Sequence, residues 1–253
     1  MQRPEGIEAK IRRLLDAKGI SVMGISSVVP LPAVPEPFSP QALLKQARSV
    51  ICYAVPIPKG IVFAESNDLD LYWRFCNTTY RSLDAASNQL CLMLEESKAL
   101  AVPLYGCFPW KLVDNEFWGL LPLVYWAEQA GLGKLTKCGL LANPDYGTAI
   151  LLGGVVTTMD LEPTGRQDSE PCPADCFECI EACPAGAIER TGKVDHNLCI
   201  RYSTSNPLVA HLVGDRKTKE SFSFETLLNT LGVDDHSSYL CFECLKVCPL
   251  NNR

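Results

Sequence analysis

Two cysteine-rich runs near the end of the 253-residue chain constrain its fold most strongly. Both runs, at residues 172–184 and 241–249, contain the spacing C-x2-C-x3-C-P. Cys172 precedes this spacing in the first run and Cys199 lies between the runs, so the region supplies eight thiolates. A cubane 4Fe–4S cluster takes four cysteine ligands, and in two-cluster ferredoxins the last cysteine of such a run binds the other cluster. The pattern therefore predicts two 4Fe–4S clusters.

Structural zinc is the alternative for these cysteines. Zinc sites with four cysteines usually pair two C-x2-C knuckles, whereas both runs here continue to a third cysteine and a proline. The longer pattern favours iron–sulfur clusters. The histidines His196, His211 and His236 are not needed as ligands, because eight thiolates already complete two clusters. We expect these histidines in loops or at the surface.

The thirteen cysteines also bear on the cellular compartment. Disulfides would be expected in a secreted protein, but residues 1–6 contain no apolar signal segment. The longest uncharged apolar stretch, 148–159, is too short to cross a bilayer. We therefore expect a cytoplasmic protein with reduced thiols and no membrane segment. The net charge of −6 disfavours nucleic acid as the main partner.

The part of the chain before the cysteines has the pattern of a mixed domain. Helical periodicity predicts an amphipathic helix from Ile7 that stops at Gly19, and five prolines between positions 30 and 40 predict an extended connection. Further strands are predicted at 20–25, 49–55 and 101–105, and further helices at 40–47, 72–99 and 123–130. This alternation indicates an α/β (α+β) domain at 1–160, followed by a cluster domain at 161–253.

A glycine-rich segment, 130–147, links the two parts. Gly131 and Gly133 suit a close approach of the backbone to a ligand. The segment lacks the third glycine of a dinucleotide fingerprint and the lysine–serine pair of a P-loop. Local pattern alone favours a glycine turn between a helix and a strand.

Together, the glycine-rich segment and the cysteine pattern resemble the epoxyqueuosine reductases and their relatives, the reductive dehalogenases. The residues that carry the resemblance are Ala130, Gly131, Leu132, Gly133, Lys137, Leu140, Leu141, Pro144, Tyr146 and Gly147, then Cys199, Ile200, Tyr202, Thr204, Cys248, Pro249 and Asn251. The resemblance implies a nitroreductase-like domain that holds a corrinoid, followed by a bacterial-type two-cluster ferredoxin module. It also implies a short form without the C-terminal helical-repeat extension of the tRNA-modifying enzymes.

The resemblance further implies that the cluster ligands interleave. One cluster would be held by Cys172, Cys176, Cys179 and Cys248, and the other by Cys183, Cys199, Cys241 and Cys244. Three residues separate Cys172 from Cys176 where the family commonly has two, so Cys172 departs from the family pattern.

Other site residues follow from the same resemblance. The corrinoid would contact Gly131, Gly133, Lys137, Pro144, Tyr146 and Gly147. Asp114, seventeen residues before Gly131, would donate a proton, and Lys137 would meet a corrinoid side chain or a substrate anion. A surface or capping aspartate and a solvated lysine are the alternatives.

Four further residues have chemistry that could serve the site. Tyr105 and Tyr125 are additional candidate proton donors. Cys107 and Cys138 lie outside the cluster set, and we expect them, like Cys76 and Cys91, to pack as small buried hydrophobes.

We therefore expect an enzyme, a cytoplasmic iron–sulfur oxidoreductase. Electrons from a ferredoxin- or flavodoxin-type donor would pass through two 4Fe–4S clusters to a bound corrinoid, of the cobalamin type, or to a similar acceptor. Two alternatives remain open. One is a non-catalytic electron-transfer or reductive-activation partner of a corrinoid or redox protein. The other is an epoxyqueuosine reductase that acts on tRNA.

Overall fold

A computed structural model describes residues 6–106, 109–113, 116–167, 170–203 and 241–252. The α-helices are α1 (Ile7–Asp16), α2 (Pro40–Leu43), α3 (Lys59–Val62), α4 (Asp68–Glu96), α5 (Leu123–Gln129), α6 (Glu178–Glu181), α7 (His196–Ser203) and α8 (Glu243–Lys246). Short 3-10 helices span Glu36–Phe38 and Pro249–Asn252. No helix among these residues is long and apolar enough to cross a membrane.

A four-stranded antiparallel sheet forms the centre of the first domain. The strands in the described residues are β1 (Val22–Ser27), β2 (Ser49–Pro56), β3 (Ala101–Leu104), β4 (Trp110–Val113), β5 (Glu116–Gly119), β6 (Lys134–Leu135), β7 (Leu141–Ala142) and β8 (Ile150–Thr157). Four of them form the central sheet, in the order β1-β2-β8-β3. The others form two separate pairs, β4 with β5 and β6 with β7.

The central strands β2 and β8 are paired along their whole length, from Ser49 opposite Thr157 to Pro56 opposite Ile150. Every residue of β8 is buried. This strand is not among those predicted above, because Gly153 and Gly154 weaken its strand signal. A Cβ atom on Gly153 would lie only 2.7 Å from the ring of Tyr53, so the glycine makes room for that side chain.

Helices cover both faces of this sheet because β2 is apolar on both sides. Ile51 and Tyr53 face the core formed with α1 and α4, where Leu83 and Leu90 are fully buried. Alternate β2 residues face the core formed with α5, whose Trp126 is 1% exposed. Side chains that alternate along a strand to opposite faces produce this arrangement of helices on either side of a sheet.

The mixed α/β class is confirmed, and most predicted elements occur close to their expected positions. The predicted helix at 40–47 is shorter, because the backbone becomes extended at Leu44 and α2 ends after one turn. The connection rich in proline contains the 3-10 helix Glu36–Phe38, which begins immediately after Pro35. The nitroreductase-like description and the domain boundary at 160/161 stay predictions. Beyond that boundary, Thr164 still hydrogen-bonds the backbone of Ile25 in β1.

The C-terminal cysteine run is anchored to the first domain by Asn251. Its buried side-chain oxygen accepts a hydrogen bond from the Thr148 amide at 2.7 Å, and its amide group donates to the Leu245 carbonyl at 2.6 Å. Gly147, at φ +60°, permits this approach, since a Cβ atom there would lie 2.3 Å from the Asn251 oxygen. The anchor thus joins the glycine-rich segment to α8.

A second contact joins α8 to the start of α4. The rings of Tyr72 and Phe242 stack with centroids 4.2 Å apart. Beside them, the Lys246 ammonium donates to the Asp68 carboxylate, and this hydrogen bond lowers the pKa of Asp68. The last cysteine run therefore packs directly on the longest helix of the first domain.

We predict that Asn251→Ala lowers the free energy of unfolding by about 2–4 kcal/mol, because the buried Thr148 amide loses its acceptor and the Leu245 carbonyl loses one of its two donors. Chemical denaturation under anaerobic conditions measures the change. The control is Asn88→Ala, because Asn88 is exposed and the hydrogen bond that it accepts from Tyr105 lies at the surface. This substitution should change the free energy of unfolding by no more than about 0.5 kcal/mol. Equal costs for the two substitutions would contradict an anchoring role.

Candidate iron–sulfur centre

Four cysteines of the two runs line one cavity beside the glycine-rich segment, together with Cys138. The four are Cys172, Cys176, Cys179 and Cys248. Cys179 and Cys248 are buried, whereas Cys172 and Cys176 are partly exposed. The last cysteine of the second run thus lies with the first run, and the extra residue between Cys172 and Cys176 does not remove Cys172 from the cavity. We call these four residues the first cysteine group.

The other four cysteines interact electrostatically with one another. Burial, together with the neighbouring Cys241 and Cys183, raises the pKa of Cys199 to about 11. The pKa of Cys244 is raised by a hydrogen bond with Cys138, by burial, and by the nearby Cys199 and Cys241. Cys183, Cys199, Cys241 and Cys244 form the second cysteine group.

Similar local structures present the two runs. The segments 176–179 and 241–244 both read Cys-Phe-Glu-Cys, and each continues into a one-turn helix, α6 or α8. Phe177 and Phe242 precede these helices with closely similar backbone angles. A proline follows the last cysteine of each run and prevents helix continuation. Since α6 contacts α8, each run can send its last cysteine toward the other group.

This grouping matches the interleaving that the family resemblance implies. Thiolate sulfur is the ligand that iron–sulfur clusters require, and each group offers four thiols. The donor set therefore fits two clusters. Which cysteine binds which cluster stays a prediction.

Lys137 contacts the loop that carries the first cysteines. Its ammonium donates hydrogen bonds to the carbonyls of Pro173, Ala174 and Cys176, at 3.0, 3.0 and 2.9 Å. It also lies 4.6 Å from the ring centroid of Phe177. These contacts make Lys137 a positioning residue for the loop. Its contact with a corrinoid side chain or a substrate anion stays a prediction.

The predicted corrinoid-binding glycines lie against the protein's own backbone. Gly131 has φ +77°, and a Cβ atom there would lie 2.1 Å from the Gly165 carbonyl oxygen. A Cβ atom on Gly133 would lie 2.2 Å from the Ala142 carbonyl oxygen. In the described residues, these glycines therefore allow close packing between chain segments.

The other predicted site residues are dispersed. Pro144 and Tyr146 are exposed, and the Tyr105 hydroxyl donates to Asn88 at 3.0 Å. Tyr125 is half-buried on α5, and His196 begins α7. The predicted residues Thr204, Asp114, Cys107, His211 and His236 lie outside the described residues.

Cys138 has a position that sequence reasoning missed. It is 7% exposed, which agrees with the predicted buried thiol. However, it lines the cavity of the first group and shares a buried apolar cluster with Cys179, against which Cys244 of the second group packs. No spacing signal reveals this contact, because Cys138 belongs to neither cysteine run.

Two hydrogen-bond donors on α4 are also unassigned by the sequence. The Trp73 indole nitrogen and the Asn77 side-chain amide are buried and have no hydrogen-bond partner within the described part of the chain. They are four residues apart and so share one side of the helix. Buried donors of this kind are costly unless another group accepts their hydrogen bonds.

Comparison with known proteins identifies the C-terminal part first. Residues 172–251 match the family described as the 4Fe–4S double cluster binding domain. The chain carries a double 4Fe–4S cluster domain. This match confirms the predicted clusters over the zinc alternative.

Sequence relatives extend the resemblance toward the N-terminus. Epoxyqueuosine reductase from Synechocystis sp. is 36% identical over 130 residues, which are 51% of this chain and 39% of that protein. The Bacillus subtilis epoxyqueuosine reductase is 26% identical over 223 residues, or 87% of this chain and 52% of that protein. The chain thus spans about half or less of these curated relatives. The predicted resemblance to epoxyqueuosine reductases is confirmed.

Solved structures show the same fold. An epoxyqueuosine reductase with an epoxyqueuosine-modified tRNA-Tyr stem loop has a TM-score of 0.60 at 18% identity, and the match covers 98% of this chain and 66% of that chain. A catabolic reductive dehalogenase has a TM-score of 0.63 at 16% identity, covering 95% of this chain and 31% of that chain. The fold is therefore shared with both kinds of protein.

We predict that Lys137→Met speeds cluster loss to an iron chelator by about tenfold, because a charged donor to three loop carbonyls is removed while the apolar stem remains. Decay of the cluster absorbance after chelator addition measures the rate. Lys193→Met is the control, since Lys193 is exposed on another loop. If the Lys137 variant loses its clusters at the wild-type rate, Lys137 does not position the loop.

Proposed function

We propose that this protein is a corrinoid-dependent iron–sulfur reductase that removes the epoxide oxygen of epoxyqueuosine in tRNA. The alignment with the Bacillus subtilis epoxyqueuosine reductase carries this proposal, because it spans 87% of the chain, more than the sheet domain or the cluster domain alone. The fold supports it, since a protein of this fold has been solved with a modified tRNA stem loop. The tRNA alternative is thus favoured over a reductase of unspecified substrate.

The cluster ligands in this proposal are the two cysteine groups. The first group would hold one cluster and the second group the other, as the resemblance implies. Each crossing cysteine, Cys183 or Cys248, ties one run to the cluster of the other and keeps the clusters close together. When bound, the clusters supply single electrons and a corrinoid of the cobalamin type uses them for the reduction.

The corrinoid site is proposed next to the first half of α4. The unpartnered Trp73 and Asn77 donors support this placement, because corrinoids carry amide side chains that accept hydrogen bonds. The same helix begins at the contact between Tyr72 and Phe242 of the second run. A group bound beside Asn77 would therefore lie close to the cluster domain.

Proton supply is the other requirement of the reaction. Removal of an epoxide oxygen as water consumes two electrons and two protons. Asp114 stays the proposed donor of one proton, on the strength of the resemblance alone.

The described residues support two further roles for this chain's own side chains. Lys137 holds the first cysteine loop, and α4 offers hydrogen-bond donors to the cofactor.

The anaerobically reconstituted protein should convert epoxyqueuosine in a tRNA stem loop only when cobalamin and a low-potential reductant are present. Mass spectrometry of the digested RNA measures loss of one oxygen. Conversion of a halogenated aromatic compound, with no change in the RNA, would replace the proposal by a dehalogenase activity. Activity on neither substrate, with a stable complex to another redox protein, would favour a non-catalytic electron-transfer role.

Substitutions in the two cysteine groups test the ligand assignment. Cys248→Ser and Cys244→Ser should each lower the iron content from about eight to about four atoms per chain, because each cluster loses one of four thiolates. Iron analysis and electron paramagnetic resonance measure the result. Cys91→Ala should retain all the iron, since Cys91 is a buried thiol of α4 that belongs to neither group.

Asn77→Leu should weaken cobalamin binding by about tenfold, equivalent to about 1.4 kcal/mol, because a hydrogen-bond donor to the cofactor is lost. Its thermal stability without cobalamin should not fall, since the substitution removes an unpartnered buried amide. Absorbance titration measures the affinity, with exposed Asn88→Leu on the same helix as control. Wild-type affinity in the Asn77 variant would place the corrinoid elsewhere.

A further inference from the structure

The ninth thiol of the region, Cys138, lies between the two cysteine groups. It lines the cavity of the first group together with Cys179. It also belongs to the apolar cluster formed with Ile188 and Cys179, against which Cys183 and Cys244 pack. Cys138 therefore contacts cysteines of both groups at once.

A rigid turn holds Cys138 in this place. The Gly139 amide donates to the Thr136 carbonyl at 3.0 Å, and Gly139 adopts φ +76°. The turn directs the preceding residue, Lys137, to the carbonyls of the first cysteine loop. Its two neighbouring side chains, Lys137 and Cys138, thus contact different parts of the cysteine-rich region.

One hydrogen-bond partner of the Cys138 sulfur belongs to the turn itself. The Thr136 hydroxyl lies 3.1 Å from the sulfur and also donates to the Leu140 carbonyl at 2.8 Å. Cys179 and Cys244 are then the charged acceptors within reach once both are thiolates bound to iron. A hydrogen bond to an ionised acceptor is roughly twice as strong as one between neutral groups.

We propose that Cys138 is a positioning residue between the two clusters, whose S–H group donates a hydrogen bond to the ligand sulfur of Cys179 or Cys244. Such a bond disperses negative charge on the ligand and stabilises the more negative, reduced cluster. It therefore raises that cluster's reduction potential. Since the single proton can serve either ligand, Cys138 adjusts the difference in potential between the two clusters.

This inference depends on the proposed ligand assignment but not on the substrate. It differs from two other roles for the same thiol. A ninth iron ligand would be needed for cluster retention, whereas a purely packing thiol would leave both potentials unchanged. Neither tRNA nor cobalamin is needed to separate these roles.

The test is a redox titration of the reconstituted full chain, followed by electron paramagnetic resonance, for Cys138→Ala and Cys138→Ser. Cys138→Ala should retain about eight irons and shift the midpoint potential of at least one cluster to a more negative value. Cys138→Ser restores a donor and should return the potential to the wild-type value or above it. Cys91→Ala, which removes a thiol with the same 7% exposure, should leave both potentials unchanged.

Two outcomes would overturn the proposal. Unshifted potentials in Cys138→Ala would show a packing thiol, and loss of about four irons from a chain with wild-type circular dichroism would show a ligand. If the alanine variant gives little folded protein, Cys138→Val fills the volume without a donor. The valine variant should then show the same negative shift, and its absence would equally contradict the proposal.

Discussion

The crossing of the two cysteine runs is the constraint on which the rest of this structure depends. Cys248 ends the second run but lines the cavity of the first, so neither group of thiols is complete until both runs are folded together. The one-turn helices α6 and α8 contact each other for the same reason. Cluster binding and tertiary folding of this region are consequently one process, as in other proteins whose metal ligands come from separated segments.

The glycine-rich segment connects that region to the sheet. Gly147 leaves room for Asn251, whose side chain bonds the Thr148 amide and the Leu245 carbonyl. Lys137, in the same segment, bonds the first cysteine loop. One stretch of chain therefore contacts both runs. Its glycines, which the resemblance associates with a corrinoid, also have a packing role in this protein because other backbone atoms occupy the space beside them.

Much of the first domain could be predicted from local pattern. The helix α4 and the strand β2 have regular periodicity over many residues, and they occur near the expected positions. The strand β8 was not predicted, because Gly153 and Gly154 are poor strand formers and are required only by the atoms packed against them, the Tyr53 ring and the Ile51 carbonyl. The helix α2 was predicted too long for a related reason, since the chain has to turn into β2.

The sequence by itself determined the chemistry of the cysteine-rich region. Within each run the cysteines lie a few residues apart, so their number and spacing are visible in the chain. Only the tertiary structure decided what surrounds those thiolates. Lys137 reaches carbonyls 36 to 39 residues away, and Cys138 reaches both cysteine groups. Contacts between such distant residues depend on how β6 and β7 pack against the cluster domain, and no local spacing encodes that packing.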